Sequence, residues 1–152
     1  MNMKTVWIII AMLAFSASVV SQTHSGGTPP DWKAMSDWKL YQENKFNVVF
    51  RIPADSLASL PSGPLSSDSM RTFLMDAEKI EGVNPQWMGC YLATCKDRQG
   101  HIYKVVISHY GGFFYDPMGK TYYQVPAAMS RDWLIFFSNT YMRLFVNINK
   151  AA

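Results

Sequence analysis

Residues 101–125 read HIYKVVISHYGGFFYDPMGKTYYQV, and this stretch decides the fold. Between His101 and His109, Tyr103, Val105 and Ile107 fall on one side of an extended chain, and Ile102 and Val106 on the other. Side chains alternate with period two along a strand, so apolar residues on both sides mark a central strand. Gly111-Gly112 interrupts the run, and Phe113-Phe114-Tyr115 resumes it. Asp116-Pro117-Met118-Gly119 is a tight turn with proline in second position, and residues 120–125 return before Pro126. Upstream, residues 86–94 form another strand, closed by the turn Lys96-Asp97-Arg98-Gln99-Gly100. The stretch therefore predicts a four-strand antiparallel meander.

Working outward, Ser130 is expected to cap a helix over 130–146. Asp132 is favourably placed against its dipole, and Trp133, Phe136, Phe137, Tyr141, Leu144 and Phe145 form its apolar face. On the N-terminal side, Met70, Phe73, Leu74, Ala77 and Ile80 keep the i, i+3, i+4, i+7 rhythm of a helix over 67–81. Ser67 or Asp68 would cap it and Gly82 would end it. Residues 53–66, rich in Pro and Ser, read as an irregular connection. Before them, residues 37–52 read as a β-hairpin. Trp38 and Leu40 share one face, Glu43-Asn44-Lys45 makes the turn, and Phe46, Val48, Phe50 and Ile52 alternate up to Pro53. The expected fold is α+β: hairpin, helix, four-strand meander, helix. It has an antiparallel sheet of five to six strands with both helices packed mainly on one face.

The first 21 residues carry an address. Lys4 precedes the apolar run 6–15, and the small and polar residues 16–21 follow. A spanning helix needs about 20 apolar residues, so the run fits a cleavable secretory signal, with cleavage expected after Ser21. Residues 22–36 are read as a flexible leader and 37–152 as a single domain. Cleavage leaves 131 residues, enough for a self-standing core. Their 13 basic and 11 acidic side chains, without Lys/Arg runs, give no electrostatic footprint for nucleic acid. No membrane segment remains after cleavage, and no cofactor motif is present.

Export makes a disulfide between Cys90 and Cys95 the default expectation. Extended geometry objects, because residues five apart on a strand lie about 16 Å from each other and a bridge needs Cα atoms within about 7 Å. Cys90, Cys95, His101 and His109 have the ligand types of a zinc site, but their spacing matches no zinc signature, so no metal site is assigned. Cys90, His109 and Asp116 supply the residue types of a nucleophile, base and orienting acid, without a nucleophile loop around them. No catalytic residue is assigned.

The unusual feature is aromatic. Tyr103, Tyr110, Phe113, Phe114, Tyr115, Tyr122 and Tyr123 lie within 21 consecutive residues, and strand alternation cannot hide them all on one face. With the helices covering one side, Tyr110, Phe113, Tyr115 and Tyr122 are the expected contact residues, since tyrosine suits interfaces. The sequence thus points to an exported, non-enzymatic protein that binds another protein in the periplasm, such as an inhibitor or immunity protein. A small cell-envelope hydrolase and a carbohydrate- or lipid-binding module are the alternatives.

Overall fold

The computed structural model describes residues 28–82 and 87–147. The expected signal peptide over 1–21 lies outside the described residues, as does the leader up to residue 27. Cys90–Lys96 (β4) and Ile102–Ser108 (β5) are the centre of the molecule, paired antiparallel over seven residues, from Cys90↔Ser108 to Lys96↔Ile102. Residues 90–95 carry no charge and are buried throughout, as a strand covered on both faces must be. Phe113–Asp116 (β6) and Thr121–Gln124 (β7) continue the meander. With Ser36–Tyr41 (β1), Ser62–Pro64 (β2) and Glu78–Ile80 (β3), the open antiparallel sheet runs β2-β1-β4-β5-β6-β7-β3. The fold is α+β, with seven strands among the described residues where the pattern predicts five or six.

One face is covered by the helices Ser67–Leu74 and Ser130–Tyr141, the second running on through a π-helical turn to Val146. Met70, Phe73, Leu74, Trp133 and Phe137 meet Leu40, Tyr91, Ala93, Val105, Ile107, Phe114 and Tyr123 there. Trp32 and Met35, from a short 3₁₀ turn over Trp32–Ala34 and the residue after it, complete this core. The other face carries Tyr41, Cys90, Leu92 and Val106, under Val49, Leu57 and the flanks of residues 50–60.

Two elements differ from the sequence pattern. Residues 46–52 are not the return strand of a hairpin. Phe46–Val49 is one helical turn (α1), and β2, from within the Pro/Ser-rich connection, takes the place beside β1 with Leu40 opposite Gly63. The reason lies in which valine is buried. Alternation would put Val48 inward with Phe46 and Phe50, whereas the helical turn drives Val49 completely into the second core. Phe46 and Phe50 are four apart, a spacing that aligns them on a helix as well as on a strand. Gly63 fits because it has no side chain: a Cβ there would sit 2.6 Å from Leu144 Cδ2.

The helix over 67–81 stops at Leu74, and residues 78–80 become an edge strand on β7. Pairing Glu78↔Gln124 and Ile80↔Tyr122 satisfies backbone groups that β7 would otherwise leave bare. That tertiary gain outweighs two further turns of weak helical preference. Ser66, rather than Ser67 or Asp68, is the cap of this helix (α2), its Oγ accepting from the Ser69 amide at 3.2 Å. Ser130 is the first residue of the last helix (α3) rather than its cap, and its hydroxyl donates to the Ala127 carbonyl.

Candidate functional site

Strand parity divides six of the seven clustered rings. Phe114 and Tyr123 turn to the helix-covered face with Tyr103 and pack edge-on around Trp32, at centroid distances of 5.4 to 6.1 Å. Phe113, Tyr115 and Tyr122 turn to the other face. There Tyr115 and Tyr122 are direct cross-strand partners, with ring centroids 4.6 Å apart.

Two further rings close on this pair from elsewhere in the chain. Phe50, just after α1, lies 5.8 Å from Tyr115, and Trp87 lies 6.1 Å from Tyr122 and 5.3 Å from Phe50. Phe50, Trp87, Tyr122 and Tyr115 thus form a closed circuit of four rings, each partly exposed. Phe46 extends it, 4.8 Å from Phe50 and 6.0 Å from Trp87, and is 46% exposed. Ile80, opposite Tyr122 on β3, continues the apolar surface towards the sheet edge.

Of the four sequence-predicted contact residues, the fold brings Tyr115 and Tyr122 together. Phe113 shares their face by parity, half-buried, with its ring over the Gly111 backbone. Tyr110 sits exposed in the β5–β6 loop, where its amide donates to Ser108 Oγ. Among the described residues, it makes no ring contact with the other three. Phe46, Phe50 and Trp87 are the members that sequence reasoning did not place here. The spacing of Phe46 and Phe50 held the signal, since rings four apart on a helical turn share one edge.

Basic groups border the circuit on the α1 side. Lys45 and Arg51 bracket the two phenylalanines in the chain and are exposed. Lys104, projecting from β5, donates from Nζ to the Ile52 carbonyl at 2.9 Å, and burial pushes its pKa down. Burial likewise raises the Tyr115 phenol, with Tyr122 and Asp116 adding to the effect.

The expected disulfide does not form: both cysteines are free and buried. Residues 90–96 run as an uninterrupted strand, so Cys90 points to the second core and Cys95 to the first. Burial, and Glu43 behind it, pushes the Cys90 thiol up to about 11; burial also raises Cys95, with Asp116 and Asp97 contributing. His101 and His109 flank opposite ends of β5. His101 Nδ1 lies 3.0 Å from Asp97 Oδ2, whereas His109 packs on the Tyr91 ring at 4.4 Å with its Nε2 buried and unpartnered. No group of three His, Cys, Asp or Glu side chains among the described residues is placed to hold a metal.

Asp116 is buried on the helix-covered face, whereas Cys90 points to the opposite one, so these two are not brought together. Asp116 instead lines a cavity of about 180 Å³ with Lys79, Tyr103, Thr121 and Tyr123, beneath residues 28–30. A neighbouring hollow of about 320 Å³ is lined by Asp97, Arg98, Gln99 and the other side of the same segment. A third, of about 130 Å³, lies between Tyr41, Leu57 and Thr94. Cys90, His101 and His109 line none of these three. No helix among the described residues is long and apolar enough to cross a membrane.

No family model matches this chain, and no curated protein or solved structure is significantly similar to it.

Proposed function

We propose that this chain is an exported, non-enzymatic binding protein that recognises another protein through the sheet face bearing Tyr115 and Tyr122. The observation that carries the reading is the closed circuit of Phe50, Trp87, Tyr115 and Tyr122, left partly open to solvent on the face away from α2 and α3. Rings held by one another lose little conformational freedom on binding, and tyrosine and tryptophan dominate the energetics of protein interfaces. The rings line none of the three cavities, and the sheet is open rather than closed around a lumen. A partly exposed aromatic surface on an open sheet suits a protein partner better than an enclosed sugar or lipid. Export rests on the signal-like residues 1–21, and the periplasm is the compartment that fits it. An inhibitor or immunity protein covering a partner's active site is the form that suits one small domain with this surface.

The test is recovery of partners from the native envelope by the mature chain and by a Tyr115→Ala/Tyr122→Ala variant. The reading expects a partner captured by the first and lost by the second. Equal recovery of every partner removes the aromatic surface from the account.

A further inference from the structure

Resting on the aromatic face just described, we propose that its occupant is an acidic segment of the partner protein. This segment seats an apolar anchor on the four-ring circuit and sets carboxylates against Lys45, Arg51 and Lys104.

Three features of the surface point to that chemistry. First, the border of the circuit on the α1 side is basic. Lys45 precedes Phe46, Arg51 follows Phe50, and the Lys104 ammonium is tied to the Ile52 carbonyl two residues beyond Phe50. Second, none of the three cations is ion-paired among the described residues; the ion pairs there belong to Arg71, Lys79, Lys96 and His101. The carboxylates nearest Lys45 and Arg51 in sequence are Glu43, which accepts from the Lys45 amide, and the exposed Asp55. Third, Lys104 is partly desolvated with a neutral carbonyl as its acceptor. A half-buried ammonium without a counter-charge gains more from an arriving carboxylate than a fully solvated one does. The mature chain as a whole is also slightly basic, with 13 basic against 11 acidic side chains, so long-range attraction favours the same sign of partner. Aromatic anchors at the centre and charges at the rim are the usual division of labour in an interface. The anchors hold the complex, and the rim sets encounter rate and choice of partner.

The experiment uses the mature chain and two synthetic peptides of one length, acetyl-Glu-Glu-Trp-Leu-Glu-Glu-amide and its lysine counterpart acetyl-Lys-Lys-Trp-Leu-Lys-Lys-amide. Binding is followed by amide chemical-shift changes. The acidic peptide is expected to bind about tenfold more tightly than the basic one. Its shifts should map to residues 45–52, 87–89, 104 and 113–124, and its affinity should fall as salt is raised. A Lys45→Glu/Arg51→Glu variant, altered only at exposed positions, is expected to reverse the preference, and Lys104→Gln to weaken the acidic peptide alone.

Equal affinity for the two peptides, no measurable binding of the acidic one, or shifts confined to another surface would overturn the proposal. So would binding of phosphatidylglycerol vesicles without binding of the acidic peptide, which would assign the face to a lipid surface. The two readings separate cleanly. If Tyr115→Ala/Tyr122→Ala abolishes partner capture while the charge-reversed variant captures normally, the aromatic surface stands and the acidic occupant falls. If neither variant alters capture, both fall.

Discussion

Tyr115 and Tyr122 face each other across the β6–β7 ladder with ring centroids 4.6 Å apart and planes inclined at 36°. Each is also held on its far side, Tyr115 by Phe50 and Tyr122 by Trp87. Such pairs contribute about 0.5–1.5 kcal/mol beyond the area they bury. A double-mutant cycle of Tyr115→Ala and Tyr122→Ala, read by urea unfolding, should therefore return a coupling of about 0.5–1 kcal/mol, with the double variant still folded. A coupling of zero would mean that the rings do not act as a pair in solution.

Gly112 and Gly82 have nearly the same positive φ, +69° and +70°, but different surroundings. A Cβ at Gly82 meets nothing within 4 Å, so Gly82→Ala should cost only the left-handed backbone penalty, about 1–2 kcal/mol. At Gly112 the same atom would lie 2.7 Å from Val125 Cγ2 and 3.3 Å from Ser130 Cβ, where β7 leads into the last helix. Gly112→Ala should cost about 1–3 kcal/mol more than Gly82→Ala through this overpacking. Equal losses in the two variants, measured by denaturant midpoint, would contradict the close approach at Gly112.

Cys90 and Cys95 are buried thiols on opposite faces of β4. Native protein at pH 8 should resist alkylation by iodoacetamide, and denatured protein should take up two equivalents. A single bridged species in non-reducing mass spectrometry would refute the strand geometry. The pH dependence has a defined sign. Burial raises both thiols above their ordinary value, Cys90 to about 11. From about pH 8.5 upward, the unfolded chain therefore releases protons that the folded chain keeps. Stability conferred by the protonated thiols is complete below that pH and declines above it, the Cys90 part through the window up to about pH 11.

His109 works at the other end of the scale. Burial lowers its pKa below the ordinary 6.5, partly opposed by a hydrogen bond to the Cys90 backbone, and its Nε2 has no partner. The unfolded state takes up a proton more readily, so the stability that neutral His109 supports is present above pH 6.5 and is lost as pH falls below it. His109→Gln should flatten the stability profile between pH 5 and 7. An unchanged slope would show that the imidazole already reaches solvent.

The meander was legible because its signal is local. Alternation in residues 102–108, the Gly111-Gly112 break and the Asp116-Pro117-Met118-Gly119 turn each act over a few residues, and the ladder follows them. The last helix was legible for the same reason. Residues 46–52 and 78–80 misled because each carries a pattern that two structures satisfy. Phe46 and Phe50 suit both a strand and a helical turn, and Ile80 fits both a helix stripe and the pairing opposite Tyr122. Half of the candidate contact set, Tyr115 and Tyr122, could be picked from density and parity alone. Phe50 and Trp87 could not, because their approach depends on chain segments far apart in sequence.

By itself, the sequence determined that an antiparallel meander forms, which faces its side chains take and where the final helix lies, since periodicity and turn chemistry are short-range. Tertiary structure alone decided that Val49 rather than Val48 enters the core, that β2 and β3 complete the two edges, and that Cys90 and Cys95 stay apart. Those outcomes turn on burying apolar surface and pairing backbone groups between distant segments, and such energies are not written in any local run of residues.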